Sequence, residues 1–237
     1  MNVSEIITDA LMYPLNNIKA LLVYVILGII AGLAIGGTVV GVATGAAAEN
    51  AWLTGGAGII GFIISIILLL LITGYQLDIV KYGINRDPGA PGIDLVRQVV
   101  NAIKLVIVYL VYFIVPILIG AILFFLLGRG ILTIIIVALI AIVFTLAEFM
   151  AKCRLAKTDS LGEALAIGSA IGDISRVGLV KILLTVIVVF VIAFIAGLIV
   201  VAISNLNSTI GSILMGIFGI YFAFFVNRAS GLLYSGV

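Results

Sequence analysis

Few residues in this chain have side chains that could do chemistry, and most of those sit at the ends of long apolar runs. Asp78 and Lys81 stand three apart, and Glu148 and Lys152 stand four apart in the order that favours a helical ion pair. Each pair reads as a helix-end salt bridge. The alternative reading joins all four as a cytoplasmic mouth for an ion or an anionic headgroup. The single cysteine, Cys153, lies among Lys152, Arg154 and Lys157, surroundings that would activate a thiol. The chain contains no histidine, so that thiol has no partner base and a structural role is expected. The same absence removes the commonest metal ligand. Gly56-Ala57-Gly58-Ile59-Ile60-Gly61 spells the dinucleotide fingerprint. That motif needs a strand before it and a helix amino-terminus aimed at a pyrophosphate, and neither is expected here. No catalytic, cofactor or metal site is expected, and the chain is not read as an enzyme.

The elements around these residues must be membrane helices. Hydrophobic residues make up 65% of the 237 and charged residues only 9%, with a mean hydropathy of +1.46. A soluble domain carries about 25% charged residues, so the solvent for most of this chain is lipid. The net charge of +2 gives no reason to expect nucleic acid. A crossing needs roughly 20 apolar residues, and residues 20–48, 50–77, 105–128 and 130–147 supply four. The uncharged stretch 182–227 is too long for one crossing, and the polar turn Ser204–Thr209 divides it into a fifth and a sixth. Only helices satisfy their own backbone in lipid, and no ten-residue alternation suggests a barrel. Lys19 is the first cation, so no basic stretch precedes the first apolar run, which is expected to stay as an anchor.

Eleven cations fall on one side of this six-helix path, and Arg129 alone falls on the other. Basic loops stay in the cytoplasm, which predicts both termini inside. Trp52 fits the outer interface, and Tyr13, Tyr75, Tyr82 and Tyr234 fit the inner one. The fold expected is all-α and polytopic, a single membrane domain over 1–237. It is built of three hairpins (about 1–81, 91–154 and 160–228) with cytoplasmic interfacial amphipathic helices. Lys19, Lys104 and Lys181 each open a unit. Before each lysine runs an apolar stripe: Val3, Ile6, Ile7, Ala10, Leu11 and Pro14; then Leu95, Val96, Val99, Val100 and Ile103; then Leu161, Ala164, Leu165, Ile171 and Ile174. Ser160 and Glu163 form a capping box at the start of the third. These segments read as collars packed under the bundle or, alternatively, as a partner-binding surface.

Gly28, Gly32 and Gly36, and again Gly37, Gly41 and Gly45, recur every fourth residue. This spacing lets helix backbones approach in lipid, within the chain or across a homo-oligomer. Asn207-Ser208-Thr209 is a glycosylation sequon expected to be unused so close to the bilayer. Pro116 with Gly120 could break the third crossing, as in transporters.

Gly74-Tyr75, Ala90-Pro91-Gly92-Ile93-Asp94, Ile103-Lys104 and Tyr112-Phe113-Ile114-Val115-Pro116 together resemble an uncharacterised prokaryotic multi-pass membrane-protein family, abundant in methanogenic archaea. Gly178–Lys181 and Arg228–Tyr234 are also similar to it. The resemblance runs from about Ile59 onward. Ala90 stands where that family favours Leu, and residues 36–58 are atypical of it. It implies a prokaryotic plasma membrane and no established activity, and it supplies no catalytic residues. The function expected is a structural or accessory membrane protein that packs lipids, a second copy or a partner in a membrane complex. The alternative is a small-molecule or lipid transporter. No carboxylate lies in the middle of a crossing, which argues against proton coupling.

Overall fold

The computed structural model describes residues 1–237, the side chains of Ala51, Leu53, Ala57, Ser208, Thr209 and Ser212 excepted. Nine helices follow one another: α1 (Val3–Asn16), α2 (Ile18–Ala47), α3 (Ala51–Ile84), α4 (Leu95–Leu127), α5 (Ile131–Thr158), α6 (Leu161–Leu165), α7 (Ile167–Val177), α8 (Leu179–Leu206) and α9 (Ser208–Tyr234). Six of them, α2, α3, α4, α5, α8 and α9, are long and apolar enough to cross a membrane. The chain is an all-α polytopic membrane protein.

Capping residues set the boundaries. Asn2 and Glu5 form a reciprocal box at the start of α1: Asn2 Oδ1 accepts from the Glu5 amide at 2.8 Å, and Glu5 Oε2 accepts from the Asn2 amide at 3.0 Å. Asp94 caps α4 by accepting from the Arg97 amide, and Asn207 caps α9 by accepting from the Ile210 amide. Asn207 is thus used by the backbone, while the Ser208 and Thr209 side chains of the sequon lie outside the described residues. Asp159 ends α5 in the left-handed region at φ 55°.

Three expectations need correction. The stripe before Lys104 is not a separate interfacial helix, because nothing between Leu95 and Leu127 stops the helix and it runs straight into the crossing. Pro116 does not break α4, which continues for eleven residues past it. The box at Ser160 is only half formed. Ser160 Oγ accepts from the Glu163 amide, but the Glu163 carboxylate turns to Arg154 instead of closing back. The third stripe is accordingly divided at Ala166 into α6 and α7. The sequence Gly56–Gly61 lies inside α3 with no strand before it, so the nucleotide fingerprint has no structural counterpart.

Sequence neighbours pack as antiparallel pairs, α2 on α3, α4 on α5 and α8 on α9. Helix α3 sits centrally, against α2, α4, α5 and α9. Both termini lie at one end, where α1 rests on α9 and α7 rests on α5. This is the basic end, and Arg129 marks the far end, in the turn from Gly128 (φ 75°) to Gly130. The two buried apolar clusters draw mostly on the halves of the helices nearest the basic end. Toward the far end the helices expose Leu33, Val39, Phe125 and Leu132.

The regularly spaced glycines mostly do not pack within the chain. A Cβ on Gly32, Gly36 or Gly37 would meet open space. Gly28 abuts Ile220, and Gly45 lies against the Thr54 backbone. Tighter approaches occur elsewhere. A Cβ on Gly61 would fall 1.7 Å from Thr38 Oγ1, on Gly74 1.8 Å from the Gln98 carbonyl, and on Gly231 2.2 Å from the Val80 carbonyl. Gly83 and Gly231 face each other where α3 crosses α9.

Candidate functional site

Nearly all the buried polar chemistry gathers in a collar at the basic end. Its first part is the loop between α3 and α4, residues 85–94, whose backbone carbonyls serve as acceptors. Side chains from four helices and from the α1–α2 junction donate to them. Tyr13 of α1 donates to Gly89 O at 3.0 Å, and Asn17 at the α1–α2 junction donates to Pro88 O at 3.0 Å. Tyr75 of α3 donates to Pro91 O at 3.2 Å, and Arg97 of α4 donates to Gly92 O. Arg228 of α9 donates to Asp87 O and, at 3.2 Å, to Tyr82 O.

Arg228 is 1% exposed, which makes it the largest fully buried side chain. Its Nε donates to Asp9 Oδ1 at 2.7 Å and Nη2 reaches Asp9 Oδ2 at 3.4 Å, a fork onto one carboxylate of α1. Its guanidinium also lies 4.7 Å from the centre of the Tyr13 ring. Burial pushes the Tyr13 phenol's pKa up from its ordinary range, so it remains a neutral donor. One residue thus ties the first helix, the 85–94 loop and the last helix together.

The second part centres on Asp173 of α7, a fully buried carboxylate. It accepts from Arg154 Nη1 at 2.9 Å, Arg176 Nη1 at 3.2 Å and the Tyr234 hydroxyl at 2.5 Å. Three donors replace the water this carboxylate gave up, which is what makes the burial tolerable. Tyr112 pins α6 by donating to Ala164 O, and Lys104 pairs with Asp159 at 2.6 Å. The third part is a stack of Tyr24 on Tyr75, centroids 3.9 Å apart, beside Phe224. Tyr24 donates to Gln98 Oε1 at 3.0 Å. Gln98 Nε2 is buried without a hydrogen-bond partner among the described residues.

The proposed mouth residues do not form the expected pairs. Asp78 accepts from Arg97 (3.1 and 3.2 Å) and Asn101 (2.9 Å), not from Lys81. A guanidinium arriving from α4 offers two donors to one carboxylate, which a lysine on the same helix cannot match. Asp78 and Lys81 do line a common cavity of about 30 Å³ with Arg97, Asn101 and Asp159. That is room for a single water. Lys152 donates to Asn227 Oδ1 of α9 at 2.5 Å, and no ion pair joins it to Glu148. Glu148 instead lines an apolar groove between α4 and α5. Cys153 is fully buried, with Sγ 3.7 Å from the Ser230 carbonyl, so it is packed in the core and not presented among the cations beside it in sequence. Of the tyrosines expected at the membrane interface, Tyr13, Tyr75 and Tyr234 are buried, because each hydroxyl finds an acceptor inside the collar. Trp52, by contrast, is 91% exposed toward the far end.

Sequence reasoning passed over Asp9, Gln98, Asn101, Asp173, Asn227 and Arg228. One signal was available: Arg228 closes an uncharged run of 46 residues, and a cation at the end of so apolar a helix needs a partner.

Six crossings bound at one end by a buried polar collar define a helical integral membrane protein of the multi-pass class. The chain belongs to the DUF4013 family of proteins of unknown function, whose model matches residues 57–205, more than half its length. That stretch contains Gly74-Tyr75, the 90–94 loop and Tyr112–Pro116, and it stops short of Arg228. No curated protein and no solved structure matches the chain.

Proposed function

We propose that this protein is an accessory component of a prokaryotic plasma membrane. Both termini lie in the cytoplasm, and the bundle holds lipid chains in the apolar grooves along its sides without moving solutes across. One contrast carries the reading. Most polar side chains of the collar are engaged with one another or with backbone carbonyls, whereas beyond it the helices offer lipid little that is polar. Among the described residues, the buried polar side chains that take no part in the collar include Ser65, Thr133 and Thr185, and Thr185 is used on the Lys181 carbonyl of its own helix. The Ser65 hydroxyl is already used on the Gly61 carbonyl of its own helix. A solute path would need polar groups through that half. Apolar grooves along the sides of the bundle are large, about 550 Å³ between α4 and α5, from mid-bundle to Glu148, and about 360 Å³ among α5, α8 and α9 in the half nearer the basic end. Phe113 and Ile117, more than half exposed, leave the first open sideways to the bilayer. Empty apolar grooves forfeit dispersion contacts, so lipid chains fill them.

The test is reconstitution of the purified protein. Phospholipid is expected to stay with the protein through repeated detergent exchange, as read by mass spectrometry. Proteoliposomes are expected to match empty vesicles in ion leak and in scrambling of fluorescent lipid. Scrambling or solute uptake well above the empty vesicles would replace this reading with the transporter.

A further inference from the structure

The α4–α5 groove has an inner end unlike the rest of it. Its walls are Phe113, Pro116, Ile117, Phe124, Val137 and their neighbours, all apolar, but at the basic end it closes on Glu148. The carboxylate is half-buried, and the lysine one turn along α5, its natural partner, is committed to Asn227. Among the described residues no salt bridge reaches Glu148. Beside it the rings of Tyr112 and Phe144 line the groove, their centroids 6.4 Å apart. The Thr145 hydroxyl is turned back onto Ala141 O. A carboxylate in no salt bridge, its one nearby cation Lys152 held by Asn227, flanked by aromatic faces at the end of an apolar trough, matches one ligand chemistry. That chemistry is an ammonium carried directly on a long hydrocarbon chain.

Length agrees with this. The groove shares Ala121 and Phe124 with a second hollow that reaches Arg129 and Ile134 at the far end. Fourteen residues of α5 separate Ile134 from Glu148, and at about 1.5 Å each they span roughly 21 Å. That accommodates one extended chain of a dozen or more carbons. A phospholipid amine suits the site less well. Its phosphate would lie between the amine and the chain, against apolar walls with no cation to receive it. Arg129, at the opposite end, repels an ammonium and so fixes the direction of entry.

We infer that the α4–α5 groove is a binding site for single-chain lipophilic ammonium cations, with Glu148 as the counter-ion and Tyr112 and Phe144 as the aromatic walls. The inference rests on the groove holding hydrocarbon chains, as proposed above. It adds a selectivity for positive charge that chain packing alone does not give.

The experiment measures equilibrium binding of radiolabelled dodecyltrimethylammonium, dodecanol and dodecyl sulfate to the full chain in phosphatidylcholine nanodiscs, with empty discs subtracted. The wild type is expected to prefer the cation over both others. Glu148→Gln should lower cation affinity about tenfold, the ratio that a partly desolvated ion pair supports, and leave dodecanol unchanged. Glu148→Asp should retain most of the affinity. Ala141→Leu fills the groove from an exposed position and should weaken all three probes. If Ala141→Leu weakens every probe but Glu148→Gln changes none, the ammonium site is overturned while the lipid-holding groove stands. If neither variant changes any probe, both readings fall. Size-exclusion profiles matching wild type confirm that each variant is folded.

Discussion

Arg228→Met destabilises the protein more than any other single loss of charge in the collar. Methionine fills a similar volume but donates nothing. The Asp87 carbonyl then loses its donor inside the protein, at about 1–3 kcal/mol for a buried group left unsatisfied, while the Tyr82 carbonyl loses one of two donors and keeps the Asp87 amide. Asp9 loses its partner too, but it is 38% exposed on its side chain and water can replace part of the contact. Removing one partner from a buried pair costs roughly 3–5 kcal/mol, and the exposure of Asp9 places this case near the lower bound. The expected result is a fall in detergent melting temperature on the order of 10 °C, with α1 becoming accessible to protease. Arg228→Lys should fall between, since an ammonium reaches one acceptor at a time and loses the fork. A melting temperature within a degree or two of wild type would show that Arg228 does not hold α1 and the loop together.

Gly231→Ala separates α3 from α9 even though it adds one methyl group. That methyl would lie 2.2 Å from the Val80 carbonyl and 2.8 Å from Gly83 Cα, backbone atoms that cannot swing aside. In a helix interior alanine is favoured over glycine by about 1 kcal/mol, so a stabilising change is the default expectation. The clash reverses the sign and should cost on the order of 3 kcal/mol, the upper range for overpacking. Gly74→Ala, 1.8 Å from the Gln98 carbonyl, should behave alike. Gly36→Ala meets open space and should be neutral or mildly stabilising. Thermal melts of the three variants side by side check the prediction. Equal effects at positions 36 and 231 would refute the assignment of the packing glycines.

These two predictions also mark where the sequence was readable. The crossings were legible because burial in lipid demands long uncharged runs, a local property of composition. The clustering of eleven cations was legible for the same reason. The helices extend past the apolar runs at the basic end, α3 to Ile84 and α5 to Thr158. Lipid sets a minimum length for a helix but does not end it. The collar was not legible, because its partners are distant: Asp9 and Arg228 are 219 residues apart, and Asp173 and Tyr234 are 61 apart. Neighbour rules paired Asp78 with Lys81 and Glu148 with Lys152, while the fold brought better donors and acceptors from other helices. The glycine rule failed for a related reason. Regular spacing selects a long parallel seam, whereas Gly74, Gly83 and Gly231 serve single crossing points where one backbone touches another. Both Gly74 and Gly231 lay within the short motifs on which the family resemblance rests.

The account stands on six crossings that place Arg129 across the bilayer from the collar. Single cysteines at position 129 or 157, introduced by Arg129→Cys or Lys157→Cys into a Cys153→Ala background, test this directly with a membrane-impermeant maleimide on intact cells. Both positions are exposed. Position 129 is predicted to react from outside, and position 157 only after the membrane is permeabilised. Labelling of both positions from the same face would contradict the six-pass arrangement.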